Sequence, residues 1–416
     1  MENRPLQPKN LEETGLTLRL LADLTLKVIY TSAITIGDEL AASLKLPYPK
    51  VVEETLRFLK DEKLCEIKGG TTYFPFSWRY ELTERGRAKA AEALIDNSYV
   101  GPAPVPLDAY SSLVKRDELR GTPVSKEALT AALSHLVLEP KIFDQLGPAV
   151  NSNKSIFLYG PPGNGKTCIA EAIANLFSSY TLVPYAITID NQIIKLFDPG
   201  YHFEVKEDDS RRCDERWIMI KRPIVEVGGE LTLEELDLIY EEKARFYEAP
   251  FQLKANGGML LIDDFGRQRV APRDLLNRWI VPLEKRFDYL TLHTGKKIEV
   301  PFSSFIVYAT NLDPRDLVDE AFLRRISYKT EIKDPTEEEY REIFRRVCLA
   351  KGIEYTEETV DYLIERYYQA ERRPFRACHP RDLANHIIDQ AAYRGVKPKL
   401  DQDSLDYAAA SYFVTM

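Results

Sequence analysis

The sequence predicts an α/β fold, with buried strands flanked by helices and a C-terminal region that is helical throughout. Three observations predict it. The apolar run Ser155–Tyr159 enters Gly160-Pro161-Pro162-Gly163-Asn164-Gly165-Lys166-Thr167 and then the helix-forming stretch Cys168–Phe177. Two further apolar runs end in polar groups: Met259–Ile262 in Asp263-Asp264, and Ser304–Thr310 in Asn311. Beyond Thr336 the pattern is helical, over Thr336–Ala350 and about 358–370, 380–393 and 402–412. Short apolar runs bounded by turn residues are the mark of fully buried strands.

The chain of 416 residues has room for two or three domains, and 44% hydrophobic residues supply ordinary cores. A net charge of −9 argues against a protein that coats nucleic acid generally. The five cysteines, Cys65, Cys168, Cys213, Cys348 and Cys378, are dispersed with no C-x-x-C pair, as expected of reduced thiols. The stretch Met1–Pro5 lacks the apolar centre of a signal peptide. No apolar run approaches the ~20 residues that span a bilayer. The expected location is cytoplasmic.

Residues 11–30 are crowded with leucine, predicting a buried helix. Gly37–Lys45 and Lys50–Lys60 predict two more, separated by Leu46-Pro47-Tyr48-Pro49. Leu64–Glu66 and Thr72–Leu82 predict two strands joined at Gly69-Gly70, and Thr83–Ile95 a closing helix. Residues 1–100 carry fourteen Lys/Arg against fifteen Asp/Glu. DNA affinity comes largely from neutralising phosphates, so this balance favours docking of a protein over DNA. Gly101–Pro106 reads as a stiff, extended linker over about 101–110. Ser125–Val137 predicts a helix leading towards the glycine-rich loop.

That loop carries the first chemistry. Glycines at this spacing let backbone N–H groups turn inward around phosphate oxygens, and the following helix adds a partial positive charge. Lys166 would reach the β- and γ-phosphates of a nucleotide, and the Thr167 hydroxyl would hold Mg²⁺. Beyond the loop helix, Leu182–Ile189 predicts a buried strand. Phe197–Phe203 is an aromatic loop around Pro199-Gly200, either a gripping loop or a buried turn. Trp217–Val227 predicts a strand or hairpin. Thr232–Tyr247 predicts a helix opened by the pair Thr232 and Glu235. Asp263 would then be delivered to the magnesium shell and Asp264 towards attacking water. Asp274–Lys285 predicts a helix, and Leu290–Leu292 with Lys297–Val300 a hairpin.

In this order the motifs resemble the AAA+ ATPase superfamily over roughly residues 110–416. The resemblance implies a core at 111–333 with a parallel five-stranded sheet, a helical lid at 334–416, ATP and Mg²⁺. It implies that Gly160, Pro161, Pro162, Gly163, Asn164, Gly165, Lys166, Thr167 and Cys168 hold nucleotide. Asn311 matches the residue that orients water, and Arg381 the lid residue that touches the γ-phosphate. Arg324 and Arg325 stand where the family keeps the arginine that a neighbouring subunit supplies. A homo-oligomer, a hexameric ring in this family, follows from that resemblance. Asp264 departs from the usual glutamate by one methylene, which implies slow to moderate hydrolysis. Residues 203–230 and 288–302 resemble the helix-2 insert and pre-sensor hairpin of the MoxR-type branch. Residues 1–100 resemble a winged helix-turn-helix domain, whose third helix can enter a DNA groove.

Overall fold

The computed structural model describes residues 4–32, 35–70, 72–118, 123–177, 180–206, 213–317 and 323–413. Its centre is a five-stranded sheet in the order Tyr328–Glu331, Ser155–Tyr159, Phe305–Thr310, Met259–Ile262, Ile224–Val227. Every neighbouring pair in it is parallel. Its three middle strands are buried almost without interruption because helices cover both faces. Alternate residues serve the two sides. Ile156, Leu158, Leu261 and Val307 pack with Ile169 of the loop helix and Leu146 of a helix at Pro140–Ser152. Phe157, Leu260, Ile306 and Tyr308 pack with Trp279 and Phe265 on the other side. Parallel pairing puts the C-terminal ends of these strands on one edge, where Tyr159, Ile262 and Thr310 hand over to the polar residues that follow.

The C-terminal region is helical, over Glu337–Lys351, Glu357–Leu363, His379–Arg394 and Gln402–Tyr412. Thr336 and Glu339 form the reciprocal capping box that their spacing predicts. A separate core of Tyr340, Phe344, Leu363, Leu383 and Leu405 holds these helices together. Near the N-terminus, helices Leu18–Ser32, Gly37–Leu44 and Glu53–Asp61 precede the antiparallel pair Cys65–Gly70 and Trp78–Leu82, and the helix Glu84–Asp96 closes the unit. The third helix starts later than its apolar pattern implies. Pro49 is extended and Lys50 is left-handed at φ 68°, so regular helix waits for Glu53.

Between these parts lies a second sheet, ordered Ile239–Glu241, Phe246–Glu248, Gln192–Lys195, Ala186–Ile189, Val105–Pro106. It accounts for several differences from the sequence expectations. Thr232–Tyr247 is not a helix. Thr232 does donate to Glu235 from its N–H and its hydroxyl, but only a 3₁₀ turn at Glu234–Leu236 follows. Asp237 then accepts from the N–H groups of Leu238 and Thr291, and the chain leaves as a hairpin pairing Ile239–Glu241 with Phe246–Glu248. Tertiary pairing overrides a local capping signal here.

The expected strand Leu182–Ile189 divides at Tyr185. Tyr180–Pro184 pairs antiparallel with Trp217–Lys221, while Ala186–Ile189 joins the second sheet. Trp217–Val227 likewise divides at Arg222-Pro223, because its second half, Ile224–Val227, is the edge of the central sheet. Asp274–Lys285 is two short helices, Pro272–Arg278 and Ile280–Lys285, with Trp279 buried between them. Helices at Leu107–Glu118 and Pro140–Ser152 went unanticipated.

The segment 101–106 is extended, as its composition predicts, but it is packed. The Ala103 N–H donates to the Leu44 carbonyl, and Val105–Pro106 is a sheet strand. Buried Arg216 pairs with Asp214 and donates to the carbonyls of Thr14 and Pro104. Phe197–Phe203 is mainly a pinned turn: His202 is buried, its Nδ1 accepts from the Asp198 N–H and its Nε2 bonds the Lys254 carbonyl. Phe203 alone of its phenylalanines is exposed. No described helix is long and apolar enough to cross a membrane.

Candidate active site

The loop Gly160–Gly165 joins the central strand Ser155–Tyr159 to the helix Lys166–Ala174. Two of its glycines are required by close approach. A Cβ on Gly160, at φ 131°, would lie 2.2 Å from the Ile332 carbonyl oxygen. On Gly163, at φ 78°, it would lie 2.5 Å from the Cys378 sulfur. Pro162 is exposed, whereas Asn164 and Lys166 are buried.

Lys166 Nζ donates to the carbonyls of Gly160 and Pro161, each at 2.9 Å, and to Asn311 Oδ1 at 2.7 Å. Burial lowers its pKa, and the charges of Asp263 and Asp264 oppose that shift. One helical position later, the Thr167 hydroxyl donates to Asp263 Oδ2 at 3.0 Å. Asn311 also donates through Nδ2 to Asp264 Oδ1 at 2.9 Å. Asp264 sits in the left-handed region at φ 48°, with its N–H directed to Asp263 Oδ1. Lys166, Thr167, Asp263, Asp264 and Asn311 therefore meet from three strand ends, though 145 positions separate Lys166 from Asn311. Cys168 follows on the loop helix and is partly buried.

The ion pairs described for the remaining candidates lie outside this set of bonds. Arg381 is on the first turn of the helix His379–Arg394, its side chain 61% exposed and paired with Asp382 at 3.1 Å. Arg325 pairs with Glu284 at 2.7 Å, and Arg324 is exposed. Sequence reasoning missed Asp334 and Arg376. Asp334 accepts from Asn164 Nδ2 at 2.7 Å and also pairs with Arg376. The only hint in sequence is that Asp334 directly precedes Pro335 and the capping Thr336. A cavity of about 190 Å³ opens beside Asn164, lined in part by Val137, Leu138, Ile142, Tyr159 and Ile332. The segment after the helix Lys126–Ala132 thus borders the loop, together with the unanticipated helix Pro140–Ser152.

His379, two residues before Arg381, gives the C-terminal region a pH dependence. Burial pushes its pKa from 6.5 down to about 4, and the charges of Arg373 and Arg376 act in the same direction. Its Nδ1 lies 2.8 Å from the Tyr368 hydroxyl. A depressed native pKa means that the folded state binds fewer protons than the unfolded one between about pH 4 and 6.5. Stability is then complete above that window and falls as pH drops through it. Replacing His379 with glutamine is expected to flatten the decline in Tm across the same window. Melting curves at stepped pH check this, and an unchanged slope would contradict it.

The class defined by the fold and this edge is an α/β P-loop core followed by a helical region. Comparison with known proteins is consistent with it over short stretches. The chain is 37% identical over 62 residues to the proteasome-activating nucleotidase of Archaeoglobus fulgidus, covering 15% of each protein. It is 43% identical over 61 residues to a spastin homolog of Caenorhabditis elegans, covering 15% of this chain and 11% of that one. The chain thus spans a small part of the length of the relatives it matches. The structure of NtrX from Brucella abortus in complex with ADP aligns with 72% of this chain and 57% of its own, at 15% identity and a TM-score of 0.41. The family described as "Domain of unknown function (DUF8689)" matches residues 336–411.

Proposed function

We propose that this chain is an ATP-binding and ATP-hydrolysing AAA+ ring ATPase that remodels a protein client. The observation that carries the reading is the convergence on Lys166: Asn311 bonds both its ammonium and the Asp264 carboxylate. Phosphoryl transfer requires mainly positioning and charge stabilisation, and these groups supply both. The loop N–H groups and Lys166 would bind the phosphates. Asp264, oriented by Asn311, would accept a proton from the attacking water, directly or through a second water. The hard oxygen donors Thr167 Oγ1 and Asp263 Oδ2, 3.0 Å apart, suit Mg²⁺. Bound there, the ion would neutralise charge on the phosphate oxygens. The cavity bordered by Val137, Leu138 and Ile142 would take the nucleobase. Arg381 would close over the γ-phosphate, and Arg324 or Arg325 would reach a neighbour's site in a cytoplasmic, hexameric homo-oligomer.

The domain limits follow the same reading: a docking domain at 1–100, a connecting segment at 101–110, the core at 111–333 and the lid at 334–416. The hairpin Phe287–Thr291 with Lys297–Pro301, which precedes the strand ending in Asn311, supports the MoxR-type branch. Three helices, an antiparallel pair and a fourth helix support a winged-helix reading of residues 1–100. Its cations favour a protein client over DNA. Arg57 lies near Glu53, Arg85 near Glu62, and Lys68 between Glu66 and Glu81. Cations already balanced in this way release few counterions from a phosphate backbone. The alternatives are a DNA-directed ATPase, which would show duplex binding that weakens steeply with salt, and an ATP-dependent switch that hydrolyses poorly, which rapid turnover would exclude.

Mass measurement with and without ATP tests the proposal. The Asp264→Asn variant, able to bind but not to hydrolyse, is expected to assemble into a ring with ATP. A strictly monomeric ATP-bound protein would overturn the ring reading. Phosphate release no higher than that of Lys166→Ala would overturn the ATPase.

A further inference from the structure

Asn164 is buried to 5% exposure inside the loop Gly160–Gly165, whose other residues are glycine and proline. A residue at this place needs no polar side chain to cradle phosphate, because the backbone does that. Yet both ends of its amide are used, and both lead out of the loop. Nδ2 donates to Asp334 Oδ1 at 2.7 Å. Oδ1 accepts from the Ala377 N–H at 3.1 Å.

Those two partners belong to different parts of the molecule. Asp334 lies between the last central strand, Tyr328–Glu331, and the first lid helix, Glu337–Lys351. Ala377 lies in the lid, just before the helix that carries Arg381. Arg376 closes the triangle by pairing with the same Asp334 oxygen that Asn164 reaches. Two backbone contacts lie alongside. The Cys378 N–H donates to the Gly163 carbonyl at 2.8 Å, and the Ile332 N–H to Tyr159 at 2.8 Å. Loop, hinge and lid thus meet at one side chain. Only an amide of this length both donates and accepts here. Aspartate has no donor and would face the Asp334 carboxylate, and alanine reaches neither partner.

We propose that Asn164 is a positioning residue that couples the lid to the phosphate loop, with Asp334 and Arg376 as the latch that sets the strength of the coupling. The inference rests on the nucleotide reading of the loop. When the lid turns away, the Ala377 and Arg376 contacts part together, and Asn164 loses the partner that orients it. The loop then loses its support on the side facing the cavity. Release of nucleotide therefore follows the state of the latch, and Arg381 is not the only lid residue on which binding depends.

Release of a fluorescent ADP analogue, followed by stopped flow on the full chain, tests this. Asn164→Asp places two carboxylates together and is expected to speed release about tenfold, the scale of one charge-assisted hydrogen bond. Combining it with Asp334→Asn reverses donor and acceptor: the new amide donates to the new carboxylate, which still accepts from Ala377. The double variant is expected to return most of the way to the wild-type rate. Arg376→Gln, on the other limb of the latch, is expected to speed release by a smaller factor. Melting of the nucleotide-free proteins separates coupling from damage, since a purely structural tie would lower Tm in step with faster release. Wild-type release from Asn164→Asp, or a double variant no slower than the single one, overturns the latch. If Asn164→Asp does not fold, an unchanged rate in Arg376→Gln overturns it instead. A wild-type chain that binds no ADP overturns the nucleotide reading itself, and the latch with it.

Discussion

Replacing Lys166 with alanine is expected to weaken ATP binding at least about 100-fold, the scale of losing two charge-assisted hydrogen bonds to phosphate. The side chain is buried and sits among the carbonyls of Gly160 and Pro161 and the Asn311 amide. Burial already lowers its pKa, so the charged form is held against a desolvation cost. Removing a cation held in that way relieves the cost, although three hydrogen bonds are lost with it. The melting temperature without nucleotide should therefore change far less than the affinity. Calorimetric titration with ATP, alongside thermal melting, separates the two quantities. A variant that keeps wild-type affinity would show that the loop is not the phosphate site.

The second large effect concerns the arginine pair. Arg325 is held by Glu284 at 2.7 Å with its side chain 28% exposed, whereas Arg324 is exposed. An arginine that acts on a neighbour's phosphate must be able to leave its own subunit. On this difference we propose Arg324, from a pair that the sequence left open, as the residue that reaches a neighbour. Arg324→Ala is expected to lower turnover by about 10³–10⁵ while leaving ATP affinity of the single subunit unchanged, the magnitude associated with an arginine supplied in trans. Arg325→Ala should cost the site little, because a partly exposed ion pair contributes at most about 1 kcal/mol to stability. Mixing Arg324→Ala with Lys166→Ala chains provides the sharper measurement. One contributes an intact loop and the other an intact arginine, so mixed assemblies should recover phosphate release that neither has alone. No recovery, or a larger loss from Arg325→Ala, would count against the assignment.

The two halves of the candidate site were unequally visible in the sequence. Strand, loop and helix around Lys166 lie together in the chain, so spacing alone identifies them. Asp263, Asp264 and Asn311 were legible because they follow short apolar runs that read as buried strands, in order after the glycine-rich loop. Asp334 and Arg376 were not. Their connection to Asn164 spans 170 positions for one and passes through the other, and neither lies at the end of a strand. The second sheet was hidden for a related reason. Tyr185 interrupts an apolar stretch that reads as continuous, and its two pieces, Tyr180–Pro184 and Ala186–Ile189, go to different sheets.

Periodicity and motif spacing alone thus determined an α/β core, the position of the glycine-rich loop, the three polar strand ends and the helical C-terminal region. These are local signals, written in residues that are neighbours in the chain or share one element. Tertiary structure decided that Thr232–Tyr247 pairs as a hairpin, that residues 103–106 are packed, and that Arg325 is held while Arg324 is exposed. It also decided that Asn164 bonds Asp334 and the Ala377 N–H. Each of these depends on a partner far away in sequence, and local preferences of under ~1 kcal/mol per residue yield to such contacts.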